Sequence, residues 1–307
     1  MIKGLFINLS PSYRMALLLG LVLSMLLFSS LLGFLVLVPF MGSGILNSIA
    51  NPDLQDPSIV NCLKALQIIN MGLGLLLPAL LFVYLTNRKP SEYLYFSPSR
   101  ALMPVWISIV FILAAQPLVG FANELNSWMQ LPAFLSGMEV WMKNTESQAA
   151  QLTNAFLSDQ TIGGLLLNIF MIALLPAVTE EILFRGVLTR LLGEWTRSRH
   201  WAVVISALVF AAIHLQFYGF LPRFLLGVAF GYLYFWTRNL WVPIMAHLIN
   251  NLGSVLAEYF YRKGITSVNA AEFGFSGNYF WVIFSLVITV FLMMYYYRIR
   301  LPEENGI

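Results

Sequence analysis

An all-α membrane protein of about eight transmembrane helices is what this chain predicts, and three observations carry that expectation. Of its 307 residues, 59% are hydrophobic and only 10% charged. Together with a mean hydropathy of +0.77, this lies outside the range of soluble globular domains. Apolar runs long enough to cross a bilayer, roughly 17–25 residues each, recur along the chain. Lysines and arginines gather between alternate runs, as the positive-inside rule describes.

The first run, at about 15–40, follows Lys3 and Arg14. It is too long for the apolar core of a secretory signal and lacks a small-residue cleavage site, so it reads as a retained span. Runs at about 66–86 and 101–122 follow. The loop at about 123–160 is acidic, with Glu124, Glu139, Glu146 and Asp159 against Lys143, and its 140–157 stretch predicts an interfacial amphipathic helix. The fourth run, about 161–192, holds Pro176, Glu180, Glu181 and Arg185. As a helix it exceeds one membrane thickness. Pro176 should kink it and free a backbone carbonyl, as where a helix lines a cavity. The remaining runs lie at about 200–217, 222–237, 240–261 and 279–297. Three segments result: 1–160 with the first three spans and the long loop, 161–262 as the chemical core, and 263–307 with the last span and tail.

Placing the N-terminus in the cytoplasm puts eleven Lys and Arg inside and five outside, with Arg185 set aside as intramembrane. Both termini are therefore expected to be cytoplasmic. No basic patch with interleaved aromatics points to nucleic acid, and Cys62, the single cysteine, cannot form an intramolecular disulfide. The expected surroundings are the lipid bilayer and a peptide or protein substrate at the membrane.

Glu180 and Glu181 are adjacent carboxylates in an apolar span, and such groups are functional by default. Glu181 and Arg185, four apart on a helix, share a face and can pair. Glu180 is rotated about 100° away and is left for other work, as a general base or acid. With a turn near 194–199, counting fifteen residues back from Trp195 reaches Glu180, and fifteen on from Arg199 reaches His214. Antiparallel packing then sets the two at one depth. Phe210 with His214, and His247 with Asn251, are further pairs four apart. His200 falls in the basic turn and is expected to be solvated.

Glu180-Glu181-Ile182-Leu183-Phe184-Arg185 fits EExxxR, Phe210 to His214 fits FxxxH, and His247 to Asn251 fits HxxxN. This ordered set on successive spans resembles the CPBP family, also called the Abi or type II CAAX prenyl protease family, over roughly residues 160–262. The resemblance implies an eight-helix bundle with its cavity inside the bilayer and an intramembrane endopeptidase of glutamate or metallo type. It implies that Glu180 and His214 activate water, while His247 and Asn251 hydrogen-bond the oxyanion. It further implies that Glu181 and Arg185 orient and tune Glu180, and that Phe210 packs beneath. This chain looks more like the bacterial branch, which implies an inner (cell) membrane location.

Two His and one Glu also meet the three-ligand rule of a catalytic Zn²⁺, so Glu180, His214 and His247 are the ligands if a metal binds. The lack of a His-Glu-x-x-His signature favours metal-free catalysis, with no cofactor. The alternative function is a non-catalytic membrane binding, immunity or scaffold protein of the same family. A proton-coupled transporter is a third, without an inverted repeat to encourage it. Gly274-Phe275-Ser276-Gly277 matches a short serine-protease pattern, but no His follows it, so it reads as a turn. Gly227 and Gly231 form GxxxG, read as helix packing.

Overall fold

A computed structural model describes residues 3–41, 52–96, 102–129, 131–268, 274–275 and 277–301. Ser276 and the last residues of the chain lie outside these. Helices alone carry the fold among the described residues: α1 (Pro11–Met41), α2 (Pro57–Thr86), α3 (Leu102–Ser127), α4 (Ser136–Phe156), α5 (Ile162–Thr196), α6 (Arg199–Ala212), α7 (Phe220–Thr237), α8 (Trp241–Arg262) and α9 (Tyr279–Arg298). Each of the eight expected runs coincides with one of them. By length and composition six are fit to cross a membrane: α1, α2, α3, α5, α9 and the stretch Phe217–Thr237. Helix α6 is shorter, at 14 residues, and α8 carries His247, Asn250, Asn251 and Glu258 among its apolar residues.

Local chemistry sets the boundaries. Asp56 accepts from Ser58 N at 2.8 Å, with Pro57 at the first position of α2. Thr161 Oγ1 accepts from Gly164 N at 3.0 Å and starts α5, and Asn278 Oδ1 accepts from Phe280 N at 3.0 Å and starts α9. Left-handed residues close helices: Arg197 (φ 53°) after α5 and Arg238 (φ 45°) after α7. The expected turn near 194–199 is thus present, with Ser198 capping α6.

Helix α6 stops at Ala212, short of the expected 217. Leu215 is left-handed (φ 53°) and its N–H turns back to Ala212 O, which ends the repeat. His214 therefore lies just past the last helical turn.

Helices α2 and α5 each contain π-helical turns, at Asn70–Leu76 in α2 and at Ile169–Leu174 and Ile182–Leu188 in α5. Pro78 and Pro176 each sit in the turn after a π segment. Proline has no N–H for the i−4 carbonyl and crowds it, and a widened turn relieves the crowding.

Helix α8 is the hub: it packs against α3, α5 and α7, while α9 packs on α3. One apolar cluster joins α1, α2, α5 and α6 through Leu18, Phe82, Val187 and Phe210. A second joins α3, α7, α8 and α9 through Phe111, Phe230, Ala246 and Tyr296. Between α6 and α7, Gly227 meets Ala207, where an added Cβ would lie 3.0 Å from its Cβ. Gly231 similarly meets Val203 at 2.9 Å, so the GxxxG pair is a close helix contact. Helix α4, in the acidic loop, lies against the turn before α7: Tyr218 N donates to Glu146 Oε2 at 3.1 Å, and Trp141 meets Phe217 with ring centroids 5.3 Å apart.

Candidate active site

The two glutamates divide as their rotation on α5 suggests. Glu181 is fully buried and Oε1 accepts from Arg185 Nη1 at 2.8 Å. Arg185 donates by Nη2 to Gly227 O at 3.1 Å and lies over the rings of Phe210 (4.7 Å) and Phe230 (5.6 Å). The guanidinium thus keeps a carboxylate, a carbonyl and two π faces as partners in an apolar core. Glu180 instead lines a cavity of about 470 Å³ among α3, α5, α7 and α8. Its Oε2 stands 3.8 Å from His247 Nε2.

His247 Nδ1 donates to the same Glu181 oxygen at 2.8 Å, a contact no spacing rule anticipates. Glu181 therefore fixes both Arg185 and the ring of His247, and among the described residues its Oε2 has no hydrogen-bond partner. With the proton on Nδ1, neutral His247 presents an Nε2 lone pair, while the imidazolium form presents an N–H.

His214 is settled by simpler chemistry. Its Nδ1 lies 2.7 Å from Phe210 O. A carbonyl only accepts, so the proton is on Nδ1 and the neutral ring keeps an Nε2 lone pair. Phe210 is buried and edge-on to both imidazoles, with centroids 5.0 Å from His214 and 6.1 Å from His247.

Asn251 answers the missing amide of Pro176. The carbonyl four residues before that proline is Ile172 O, and Asn251 Nδ2 donates to it at 3.1 Å. One amide hydrogen of Asn251 is thereby used and the second is left over. Asn250 Nδ2 donates to Asn251 Oδ1 at 3.2 Å, and Gln116 Nε2 to Asn250 Oδ1 at 3.2 Å. An amide chain thus links α3, α8 and α5.

The structure brings Glu180, Phe210, His214, His247 and Asn251 to one cavity and sets Glu181 and Arg185 behind it. Sequence reasoning missed Gln116, Asn250 and Arg223 as cavity residues. Asn250 abuts a motif residue, and Arg223 is a cation at the edge of an apolar span; either signal was available. Among the described residues no three His, Cys, Asp or Glu are grouped to hold a metal ion.

Residues 162–253 match the family model described as type II CAAX prenyl endopeptidase Rce1-like. YpbD of Bacillus subtilis (strain 168) is 40% identical over 86 residues, 27% of this chain and 41% of that protein. The candidate membrane peptidase YdiL of the same organism is 33% identical over 92 residues, 30% of this chain and 37% of YdiL. The membrane-embedded CAAX protease MroQ of Staphylococcus aureus (strain USA300) is 33% identical over 89 residues, 27% of this chain and 36% of MroQ. The chain spans about two fifths of the length of these curated relatives. No solved structure matches it significantly. The three motifs fall within the matched segment, so the resemblance read from them holds for a domain that includes the cavity wall formed by α5, α7 and α8.

Proposed function

We propose, with an Rce1-like endopeptidase domain as the premise, that this protein hydrolyses a peptide bond of a membrane-associated or lipidated peptide or protein within the bilayer. One observation carries the reading: Glu180, His214, His247 and Asn251 share one cavity in a bundle of membrane-spanning helices, with Glu180 3.8 Å from His247. An integral membrane location follows from the apolar helices; a bacterial cell membrane with both termini cytoplasmic is part of the proposal.

In this reading the Glu180 carboxylate takes a proton from an attacking water held by the Nε2 lone pair of His214, the C–N bond of the tetrahedral intermediate breaks, and the proton on Glu180 passes to the departing amine. General-base catalysis of this kind contributes about 10²–10⁴-fold. His247 Nε2, when it carries a hydrogen, and the second amide hydrogen of Asn251 donate to the oxyanion that forms on the scissile carbonyl. Glu181 and Arg185 are positioning residues, because they act by orienting His247 and the helix that carries Glu180. Catalysis needs no metal in this scheme.

The test is cleavage of a quenched-fluorescent membrane peptide by purified protein in liposomes. Glu180→Ala and His214→Ala should each lower turnover about 10²-fold or more while inserting and purifying normally. Full activity in either would remove the proposal. Elemental analysis should find no stoichiometric zinc, and EDTA should leave the rate unchanged; loss of activity restored by zinc would overturn the metal-free mechanism.

A further inference from the structure

We propose that Arg223 forms a carboxylate-binding subsite, which engages either the free C-terminus or an acidic side chain of a bound peptide. The idea rests on the endopeptidase reading of the same cavity and adds what that cavity selects. Arg223 lies in the first turn of α7 and lines the cavity together with Glu180 and His214. It stands apart from the EExxxR, FxxxH and HxxxN residues.

The guanidinium is held by a built support. Nη1 donates to Gln216 O at 3.2 Å, and Nη2 donates to the Gln216 side-chain oxygen. Gly219 leaves the space: a Cβ there would overlap Nη1 of Arg223. Gln216 and Gly219 therefore hold the fork from one side by the 216–219 turn. These two bonds use only part of the five N–H donors of a guanidinium, whose planar fork matches a carboxylate.

The charge balance points the same way. Glu181 is matched by Arg185, whereas Arg223 is within electrostatic range of Glu180 and of Glu146 from α4. Within the 216–219 turn that supports the fork, Tyr218 N donates to Glu146 Oε2 at 3.1 Å. Arg223 shares the cavity with the Glu180 carboxylate and keeps N–H donors beyond its two bonds to Gln216, so its fork can take a further anionic group. In a peptide at pH 7 that group is a carboxylate.

The test uses full-length protein in detergent micelles and short fluorescein-labelled apolar peptides with N-methylated backbone amides, which cannot be cut. Three forms are compared by fluorescence anisotropy: a free C-terminal acid, a C-terminal amide, and a C-terminal amide with one glutamate. Parent protein should bind at least one carboxylate form about tenfold or more tighter than the neutral amide, as a charge-assisted contact gives. The better of the two forms identifies the source. Arg223→Gln should erase that preference and leave affinity for the neutral amide unchanged. Gly219→Val keeps the charge, crowds the guanidinium and should reduce the preference, while Arg223→Lys should keep part of it. The proposal is overturned if the three forms bind parent protein equally, if none binds, or if Arg223→Gln weakens all three alike. Cleavage of the unmethylated peptides by parent protein is scored separately, so failure of the hydrolase reading is distinguishable from failure of the subsite.

Discussion

Removing Glu181 should cost this protein more than removing any other single carboxylate, and the structure sets the size. The Glu181 side chain is 0% and that of Arg185 2% exposed, with 2.8 Å between their charged atoms. At an effective dielectric near 20, unit charges about 4 Å apart attract by about 4 kcal/mol. Breaking one side of such a buried pair costs about 3–5 kcal/mol, because the surviving charge stays in an apolar site. In Glu181→Ala the Arg185 guanidinium would keep only Gly227 O and two aromatic faces, and His247 would lose its Nδ1 acceptor. On the scale of about 2–4 °C per kcal/mol for large domains, the apparent melting midpoint should fall by roughly 6–20 °C. Intrinsic fluorescence of detergent-purified protein, at one fixed scan rate, reads this directly. Glu181→Met with Arg185→Met removes both charges and should recover most of the loss. A single variant melting within about 1 °C of the parent, or a double variant no better than the single, would refute the reasoning.

Asn251→Leu withdraws the side-chain donor from Ile172 O, which Pro176 cannot serve, and should cost about 1–3 kcal/mol as well as turnover; an unchanged midpoint would show that the carbonyl is satisfied without it. Gly231→Leu forces a side chain against Val203, where even a Cβ comes within 2.9 Å, whereas Gly20 has open space around it. Gly231→Leu should therefore destabilise by about 1–3 kcal/mol or more and Gly20→Leu should be silent in the same melt; equal melting of the two would contradict the α6–α7 contact. The Asp159 carboxyl, before α5, is held below the usual carboxylate range by hydrogen bonds from Thr161. Because its folded pKa is depressed, this anchor's contribution is present above an ordinary Asp pKa of about 3.9 and is lost as pH falls through the folded value. Asp159→Asn should flatten the acid side of the stability profile, and an unaltered profile would count against that anchor.

The eight helical runs were legible because hydropathy and length constrain a membrane helix strongly. So was the division of Glu180 from Glu181, since helical rotation alone separates them. The turn near 194–199 was legible too, and Glu180 and His214 line one cavity. What stayed hidden depended on contacts between distant segments. That His247 shares Glu181 with Arg185 requires the register of α8 against α5, which no local pattern encodes. Asn251 looked like an oxyanion donor, yet one of its hydrogens serves Ile172 O, a consequence of Pro176 on another helix. Arg223 stands at the edge of an apolar run, and only folding turns it into the cavity. The early end of α6 follows from the backbone at Leu215, where nothing in an apolar run signals a left-handed residue.

Glu180 and His214, if they serve one water, must fail together. The direct measurement is turnover of parent, Glu180→Gln, His214→Ala and the double variant on one membrane peptide in liposomes. Residues acting as a unit give a double loss close to the larger single loss, about 10²–10⁴-fold in all. Losses that multiply, or a Glu180→Gln protein with parental turnover, would contradict a shared hydrolytic site.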